Sequence, residues 1–170
     1  AVQYWDWLKG ILHGNLGWSS TAQLPVAQAL LSRIPATLEI MIISIFPILF
    51  GGITMGVLSA AFHNRSLDHI TRLVAISGWS MPSFVLALLI LMIFYGQFDL
   101  FMPGRLSEWA SRIVSSSGFV RYTGMNILDG MLNGRFDIAL NAVRHVMMPA
   151  MTLTLIDWAA LARITRSSMI

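Results

Sequence analysis

The sequence has no cysteine and only one lysine, and 11% of its 170 residues are charged. The absence of cysteine excludes disulfides, thiolate metal sites and cysteine nucleophiles, and it leaves the redox compartment undetermined. Soluble domains usually carry about 25% charged residues, so this chain has too few charges to cover a surface that faces water. With 56% hydrophobic residues and a mean hydropathy of +0.69, the composition predicts a membrane protein.

Several chemistries are excluded by residues that the sequence lacks. The single lysine, Lys9, follows Leu8, whereas a P-loop needs Gly-Lys-Ser/Thr, so this chain holds no ATP-hydrolysing P-loop. No His-Glu-x-x-His or Cys/His metal spacing occurs, and we expect neither a metal site nor a catalytic residue. We expect the four histidines to be solvated or interfacial, because they fall outside the centres of the hydrophobic runs: His13, His63, His69 and His145.

The basic residues do not form a nucleic-acid surface. The formal net charge is +3, but the arginines are scattered along the chain. Nucleic-acid-binding domains usually gather lysine and arginine on one face. We therefore expect no nucleic-acid partner.

Three apolar runs predict three transmembrane helices, because a bilayer core about 30 Å thick needs about 20 apolar residues in helix. Span A covers residues 35–62, with Pro35 expected in its first turn. Span B covers residues 73–98 and span C covers residues 146–163. Pro47, Pro82 and Pro149 should bend these helices.

If the spans alternate in direction, residues 63–72 and 164–170 share one side of the membrane, and residues 1–34 and 99–145 share the other. Counting arginines near the span ends leaves the orientation open. Within residues 1–34, an amphipathic interfacial helix is predicted by the spacing of Tyr4, Trp5, Leu8, Ile11 and Leu12. Within residues 99–145, we expect a surface excursion with a mobile middle at Ser115–Gly118 and short helices near 106–114 and 137–144.

Two features within the spans have more than one interpretation. Gly52 and Gly56 repeat at the four-residue spacing that lets helix backbones approach closely, either as a static packing surface or as one that rocks against a neighbour. Ser77 and Ser80 lie near Pro82, where their hydroxyls either line a polar route for a solute or bond back to the carbonyl that the proline leaves free.

Apart from Glu39 at the start of span A, Asp157 is the one acidic residue within a span, which excludes a paired-carboxylate intramembrane protease. A charge at the bilayer centre costs about 2.5 kcal/mol or more. Asp157 must therefore face a cavity, pair with a cation on another helix or subunit, be protonated, or lie near the interface. Arg163 and Arg166 are three residues apart and so neighbours on a helix; they either bind anionic headgroups or begin a cytoplasmic coupling segment.

The order of motifs resembles a known family. The run from Tyr4 to Ser19 is similar to the W-x-x-x-L-x-G-D-L-G-x-S stretch of dipeptide/oligopeptide/nickel-type ABC transporter permeases, with Asn15 where that family often has Asp. Further matching motifs follow in the family's order: Pro25-Val26, Arg33-Ile-Pro-Ala-Thr-Leu-Glu39, Gly52 through Ala61 ahead of Asp68, Ser80-Met-Pro-Ser-Phe84, Pro103-Gly-Arg105, Arg144-His-Val-Met-Met-Pro149 and Arg163-Ile-Thr-Arg-Ser-Ser-Met169.

The resemblance implies an all-α membrane protein, a fragment of a six-helix type I ABC importer permease (MetI-like fold). It implies a multi-pass protein of the inner or plasma membrane, with residues 63–72 and the segment after Arg163 in the cytoplasm. The implied partners are a second homologous permease, two ATP-binding subunits, an extracytoplasmic solute-binding protein and membrane lipid. ATP would be bound by the partner subunits, so no cofactor is expected in this chain.

The function implied by the resemblance is that of a non-enzymatic permease subunit of an ATP-driven importer. Such a subunit performs no covalent chemistry of its own and works by alternating access. Di- or oligopeptides are the favoured cargo, with nickel or another small solute as the alternative. Ser77, Ser80 and Asp157 are candidate path residues, Gly52, Gly56 and Pro82 candidate packing residues, and Arg163 and Arg166 lie near the coupling segment. A membrane sensor or scaffold and a proton-driven transporter that uses Asp157 are rival interpretations.

The chain begins at Ala1 without methionine, and its last residues continue a helix-like pattern to Ile170 without a glycine or proline stop. We therefore expect a segment of a longer polypeptide. On this expectation the family's first helix precedes the chain, and its coupling loop and last two helices follow.

Overall fold

The computed structural model describes residues 2–170, and it describes only the backbone of Val2, Leu67, Ser77, Gly78 and Trp79. Within this part of the chain there are seven α-helices, numbered in chain order: α1 (Val2–Leu12), α2 (Val26–Ala61), α3 (Ser66–Ser80), α4 (Ser83–Ile90), α5 (Glu108–Val114), α6 (Asn126–Leu132) and α7 (Phe136–Met169). A π-helical turn, Leu91–Tyr95, continues α4. Two short antiparallel strands, β1 (Trp18–Ser19) and β2 (Leu24–Pro25), precede α2.

The longest helices, α2 and α7, pack against each other along the molecule. α2 has 36 residues and α7 has 34, which at 1.5 Å per residue corresponds to lengths of about 54 and 51 Å. By length and composition both could cross a membrane. Each is longer than a bilayer core of about 30 Å, so each has room to extend beyond the lipid.

The helix that contains span A starts earlier than predicted. It begins at Val26 after Pro25 and includes Pro35 and Pro47 in its interior, so the prediction that Pro35 lies in the first turn is wrong. The residues from Val26 to Ile34 contain no glycine or proline, and helix-forming residues there extend the helix ahead of the apolar run. Hydropathy marks the apolar part of a helix and not its end.

The sequence analysis predicted that residues 63–72 form a loop, but most of this segment is helical. α2 ends at Ala61 and α3 begins at Ser66, so the non-helical turn covers only residues 62–65. Asn64 has φ of +59°, a left-handed conformation that asparagine adopts more readily than most residues. Asp68 lies in the first turn of α3, where a carboxylate interacts favourably with the helix dipole.

Span B, predicted as one bent helix over residues 73–98, is divided into separate helices. Met81 and Pro82 are extended, with ψ of 134° and 138°. For Met81 the cause is the following proline, which disfavours the α conformation in the residue before it. After α4, the Gly96 N–H donates to the Leu91 carbonyl at 3.1 Å, which closes the π-helical turn. The proline therefore separates two helices instead of bending one.

Span C is the middle of a longer helix. α7 includes the segment 137–144 that was predicted as a separate short helix, and Pro149 is in its interior rather than at its start. The last residues are helical to Met169, in keeping with their helix-like pattern, so the segment 164–170 that was predicted to start a coupling loop is still part of α7 up to Met169. No glycine interrupts the sequence from Phe136 to Met169, so the helix continues through its polar ends.

The excursion between α4 and α7 has its own small core. Val114, Phe119 and Ile138 are buried together, with Leu106 and Ile113 packed against them. α5 falls within the predicted helix at 106–114, whereas α6 was not predicted. Phe119 follows the Ser115–Gly118 segment directly and anchors it to this core.

The N-terminal helix α1 corresponds to the predicted amphipathic helix. Tyr4, Trp5 and Leu12 are each more than half exposed, so the rest of the chain does not cover these apolar side chains. Such a surface fits contact with lipid headgroups and upper acyl chains.

Candidate functional site

A buried carboxylate joins the three helices that meet near the 62–65 turn. Asp68, on α3, has no exposed surface. Its Oδ1 accepts a hydrogen bond from Ser59 Oγ of α2 at 2.6 Å and one from Arg166 Nε of α7 at 2.8 Å. Arg166 Nη2 donates to Oδ2 at 3.1 Å, so the guanidinium binds the carboxylate through two nitrogens.

Further donors from α3 and the turn complete this group. Arg72 Nη2 donates to Asp68 Oδ2 at 3.0 Å and Arg72 Nε lies 3.4 Å from Oδ1. The backbone N–H of Asn64 donates to Oδ2 at 3.1 Å. We call Ser59, Asn64, Asp68, Arg72 and Arg166 the Asp68 cluster.

The cluster keeps Asp68 ionised. The hydrogen bond from Arg166 and then that from Ser59 lower the pKa of Asp68 far below its usual range, against the opposing effect of desolvation. A buried charge is costly unless it is paired and hydrogen-bonded, and here both conditions are met. Removal of one partner would leave the remaining charges without compensation, so α2, α3 and α7 are held together at this end.

A cavity of about 310 Å³ adjoins the cluster. We call it the basic cavity, since three of its lining residues are arginines: Ser59, Thr71, Arg72, Ala75, Ile76, Ala162, Arg163 and Arg166. The described residues that line it include no carboxylate. A smaller cavity of about 80 Å³, the apolar cavity, lies along the same helices: Met55, Ile70, Thr71, Val74, Ala75, Leu155, Trp158, Ala159 and Ala162.

The predicted glycine surface of α2 lies against α7. A Cβ atom placed on Gly52 would be 2.8 Å from Leu161 Cβ, and one on Gly56 would be 2.5 Å from Thr165 Cβ and 2.9 Å from the Ala162 carbonyl oxygen. These distances are shorter than a carbon can occupy without a shift of the neighbour. Close approach of α2 and α7 therefore requires glycine at both positions.

The structure does not bring the predicted path residues together in one cavity. Ser80 Oγ donates to the Ile76 carbonyl at 2.7 Å, and Pro82 is exposed at the break between α3 and α4. The side chain of Ser77 lies outside the described residues. Asp157 is exposed on α7, and neither Ser80 nor Asp157 is among the described residues that line the basic or apolar cavity.

A second buried carboxylate ties the excursion to α2. Glu39 is 4% exposed; its Oε1 accepts a hydrogen bond from the Ile127 N–H at 2.6 Å. Arg105 Nη2 donates to Glu39 Oε2 at 3.3 Å and to the Gly124 carbonyl at 3.2 Å. Glu39 thus links α2, the segment before α5 and the start of α6.

The excursion is also ordered internally by Asp129. Its Oδ1 accepts hydrogen bonds from the N–H and the hydroxyl of Thr123, both at 2.8 Å, and its Oδ2 accepts one from the Gly124 N–H at 2.9 Å. These bonds fix the turn that precedes α6. Among the described residues, no group of three or more acidic or histidine side chains is placed to hold a metal.

His145 differs from the sequence expectation that all histidines are solvated or interfacial. It is 4% exposed, and its Nδ1 lies 2.8 Å from the Asn141 carbonyl oxygen, so Nδ1 carries the hydrogen. His145 lies on α7 just after the polar first turns of this helix. The sequence analysis had assigned those turns to a separate short helix near 137–144. The expectation failed because the excursion covers this part of α7.

Sequence reasoning also missed Asp68 and Glu39 as buried charges. Asp68 and Arg72 are four residues apart, which is the spacing of a helical pair, but this signal was missed because residues 63–72 were predicted to be a loop. The partner Arg166 is nearly a hundred residues away in the chain, and no local pattern indicates that contact. For Glu39, the nearest sequence signal is its position just before the charge-free run of span A.

Comparison with known proteins identifies the family. Residues 52–170, more than half of the chain, match the model of the family described as "Binding-protein-dependent transport system inner membrane component". The chain belongs to this family. The matched region contains the glycine surface of α2, Asp68 and Arg166, so α3, α7 and the end of α2 that the Asp68 cluster joins to them lie within it. The family description and the two long apolar helices support a location in a membrane.

Curated relatives of this inner membrane component carry peptide-transport names. The chain is 36% identical to the probable D,D-dipeptide transport system permease protein DdpB of Escherichia coli K12, over 99% of this chain and 48% of that protein. It is 31% identical to the dipeptide transport system permease protein DppB of the same strain, over 99% of the chain and 49% of the relative. The Pseudomonas aeruginosa di/tripeptide permease protein DppB is 34% identical, over 99% and 48%.

The chain thus spans about half the length of the curated relatives that it matches. No solved structure matches it.

Proposed function

We propose that the protein containing this chain is a permease subunit of an ATP-driven importer of di- or oligopeptides. The observation that carries the proposal is the family match over residues 52–170. The names of the relatives, which refer to dipeptides and tripeptides, favour peptides over nickel or another small solute. In this proposal the chain itself performs no covalent chemistry.

The proposed mechanism is alternating access, in which the solute path opens to one side of the membrane at a time. The Asp68 cluster supports it, because the cluster makes one end of α2, α3 and α7 a single unit that can move as a body. The extended residues Met81 and Pro82 separate this unit from α4. ATP binding by two partner subunits would move the unit, with a second permease completing the path and a solute-binding protein delivering the peptide outside.

Asp157 fits a place on the path or at the contact with the second permease. It is exposed on α7 and makes no hydrogen bond or ion pair with a described residue. An unpaired carboxylate is too costly to face lipid. Water in a solute path, or a cation on the second subunit, would satisfy it. Ser77 and Ser80 remain candidates for the path on sequence grounds alone.

The proposal is tested by reconstitution of the full-length protein with its partner subunits into vesicles. We expect ATP to drive accumulation of a labelled dipeptide, and we expect no accumulation when the P-loop lysine of the ATPase subunits is replaced by alanine. Labelled nickel in the same vesicles tests the alternative cargo. Uptake that continues without the ATPase subunits, or a complex that never transports any solute, would contradict the proposal.

A further inference from the structure

Another cavity lies between α4, α7 and the excursion, and we call it the α4–α7 cavity. Its volume is about 480 Å³, within the range of about 300–1,000 Å³ that is usual for small-molecule sites. Apolar side chains such as Phe84, Leu88 and Met148 form most of its lining, and Pro103 and Gly104 line it from the excursion. The described residues that line it include no charged side chain. The cavity therefore has room for a solute but nothing that would hold a bare ion.

His145 is the buried imidazole of this cavity. It is 4% exposed, and its Nδ1–H donates to the Asn141 carbonyl at 2.8 Å. In the neutral ring, Nε2 then has a lone pair that accepts, and it makes no hydrogen bond to a described residue. Nε2 is accessible, because Trp158 Nε1 is the one side-chain nitrogen or oxygen among the described residues that is both buried and without a partner. His145 therefore offers the cavity an unused acceptor.

The orientation of the imidazole ring is fixed through Asn141. The Ser107 N–H donates to Asn141 Oδ1 at 3.0 Å, and Asn141 Nδ2 donates to Ser107 Oγ at 2.8 Å. The turn of α7 that holds the ring is thus bonded to the residue ahead of α5. Arg105, which follows Gly104, binds Glu39 of α2. The ring and the adjoining part of the excursion are therefore held in place without a ligand, which lowers the entropy cost of binding one.

Two further acceptors adjoin the ring. Pro149 has no N–H, so the His145 carbonyl lacks the donor that a helix usually supplies four residues later. Thr152 Oγ donates its hydrogen to the Met148 carbonyl at 3.1 Å, and the oxygen keeps lone pairs. Acceptors in an uncharged, mostly apolar space match a ligand that brings N–H groups and apolar side chains. A short peptide has both, whereas an acyl chain has no donor.

We propose that the α4–α7 cavity is a peptide-contact site on the transport path. His145 Nε2 accepts a hydrogen bond from a backbone N–H group of the peptide, and the apolar lining receives one of its side chains. This inference rests on the proposed function and adds to it the residue and the peptide group that meet. The excursion is expected on the extracytoplasmic side, so a peptide would reach this cavity before it crosses the membrane.

Cysteine reactivity in the full-length complex tests the site. The complex, free of other cysteines, is placed in nanodiscs with its ATPase subunits and its solute-binding protein. Ala87→Cys puts a thiol on the lining of the cavity. We expect it to react with a charged, water-soluble methanethiosulfonate, and we expect the dipeptide alanyl-phenylalanine to slow this reaction severalfold. Ser117→Cys is the control, because position 117 is exposed on the excursion and outside the cavity, so the dipeptide should leave its reaction rate unchanged.

Two substitutions of His145 separate the contact with peptide from the contact with Asn141. In His145→Asn the amide nitrogen can replace Nδ1 as the donor to Asn141, but no atom replaces Nε2. In His145→Gln the longer side chain can place an amide oxygen near the Nε2 position. In the Ala87→Cys background, we expect His145→Asn to need about fivefold more dipeptide for half-maximal protection, the loss of one hydrogen bond. His145→Gln should need as much as the unchanged residue.

The contrary outcomes are distinct. A thiol at position 87 that does not react would mean that protein or lipid fills the cavity in the complex, and reaction without protection would mean that no peptide binds there. Equal protection in His145→Asn and the unchanged protein, or equal loss in both His145 variants, would remove the proposed hydrogen bond. ATP-driven uptake by the same complex separates the two proposals. Normal uptake without protection removes this site alone, whereas no uptake by the unchanged protein removes the proposed function as well.

Discussion

Asp68 carries a negative charge in a place without solvent, and its hydrogen bonds explain why that charge is tolerated. Donors from α2, α7, α3 and the intervening turn surround its two oxygens. In such a group the loss of charge at the centre is more damaging than the loss of a single donor, since two guanidiniums then lose their counter-ion.

We expect Asp68→Asn to lower the unfolding temperature of the detergent-solubilised protein by several degrees. The amide keeps the size of the side chain but leaves Arg72 and Arg166 unneutralised. Thermal unfolding monitored by intrinsic tryptophan fluorescence measures the change. An unfolding temperature equal to that of the unchanged protein would show that the cluster contributes nothing to stability.

The lowered pKa of Asp68 also predicts a pH dependence. A carboxyl whose pKa is lower in the folded than in the unfolded state stabilises the fold above its unfolded pKa. That stability is lost progressively as the pH falls below about 4 towards the folded value. We expect a steeper drop of unfolding temperature on acidification in the unchanged protein than in Asp68→Asn, and parallel curves would contradict this cause.

Asp157→Asn is the counterpart of the same chemical change at an exposed position. Because Asp157 bonds no described residue, we expect the unfolding temperature to stay unchanged. Because its charge needs water or a partner subunit, we expect ATP-dependent peptide uptake in vesicles to fall. Normal uptake with normal assembly would remove Asp157 from the path.

At the scale of helices, the contact between α2 and α7 depends on small residues. A methyl group at position 56 would meet a backbone carbonyl as well as Thr165, and backbone moves less readily than a flexible side chain. The two glycines therefore set the distance between the helices: they let α7 approach α2 closely enough for Arg166 to reach Asp68.

We expect Gly56→Ala to destabilise the fold by about 1–3 kcal/mol, the usual cost of overpacking. The unfolding temperature of the purified protein and the yield of assembled complex measure the effect. Gly118→Ala is the matched control, because a Cβ there would meet no atom within 4 Å. Equal behaviour of the two variants would show that α2 and α7 do not pack as described.

A second prediction at this scale concerns the link between the excursion and α2. Glu39→Gln weakens the charge-assisted bonds to Ile127 and Arg105, and we expect it to cost about 1–2 kcal/mol. Amide hydrogen exchange should become faster from Thr123 to Ile127 and remain unchanged in α7. The control Glu108→Gln alters an exposed ion pair and should leave exchange in that segment as it was.

Sequence patterns located the apolar parts of α2 and α7 and the helix α1, but they missed where helices end. The start of span A was placed at residue 35, close to where the apolar run begins. The helix in fact begins at Val26, because the residues before the apolar run favour helix by propensity and by packing rather than by hydropathy. The break at Pro82 was predicted as a bend, since the sequence shows a proline but not whether neighbours restore the helix. Asp68 was missed because its partner Arg166 is distant in sequence.

At the scale of the whole molecule, the chain leaves a large apolar surface uncovered. On α2 alone, Leu31, Phe46 and Phe50 are each more than 70% exposed. Patches of this kind on a soluble protein would mark an interaction site. In a membrane they would face lipid or, in the proposed complex, a second permease. Two of the buried carboxylates, Asp68 and Glu39, lie towards opposite ends of α2.

These two carboxylates lead to a prediction of topology. Asp68 belongs with the 62–65 turn and Glu39 with the excursion, and the apolar run of α2 between Glu39 and His63 is long enough to cross the bilayer core. The turn and the excursion should therefore lie on opposite sides of the membrane, with the turn in the cytoplasm as the family resemblance implies.

Single cysteines test this in a full-length variant that has no other cysteine. Arg65→Cys places the thiol in the turn, and Ser117→Cys places it at an exposed position of the excursion. In intact cells, a membrane-impermeant maleimide should label position 117 but not position 65, and permeabilised cells should show labelling of both. Labelling of both positions in intact cells would put the turn and the excursion on one side, and α2 could not then span the membrane between them.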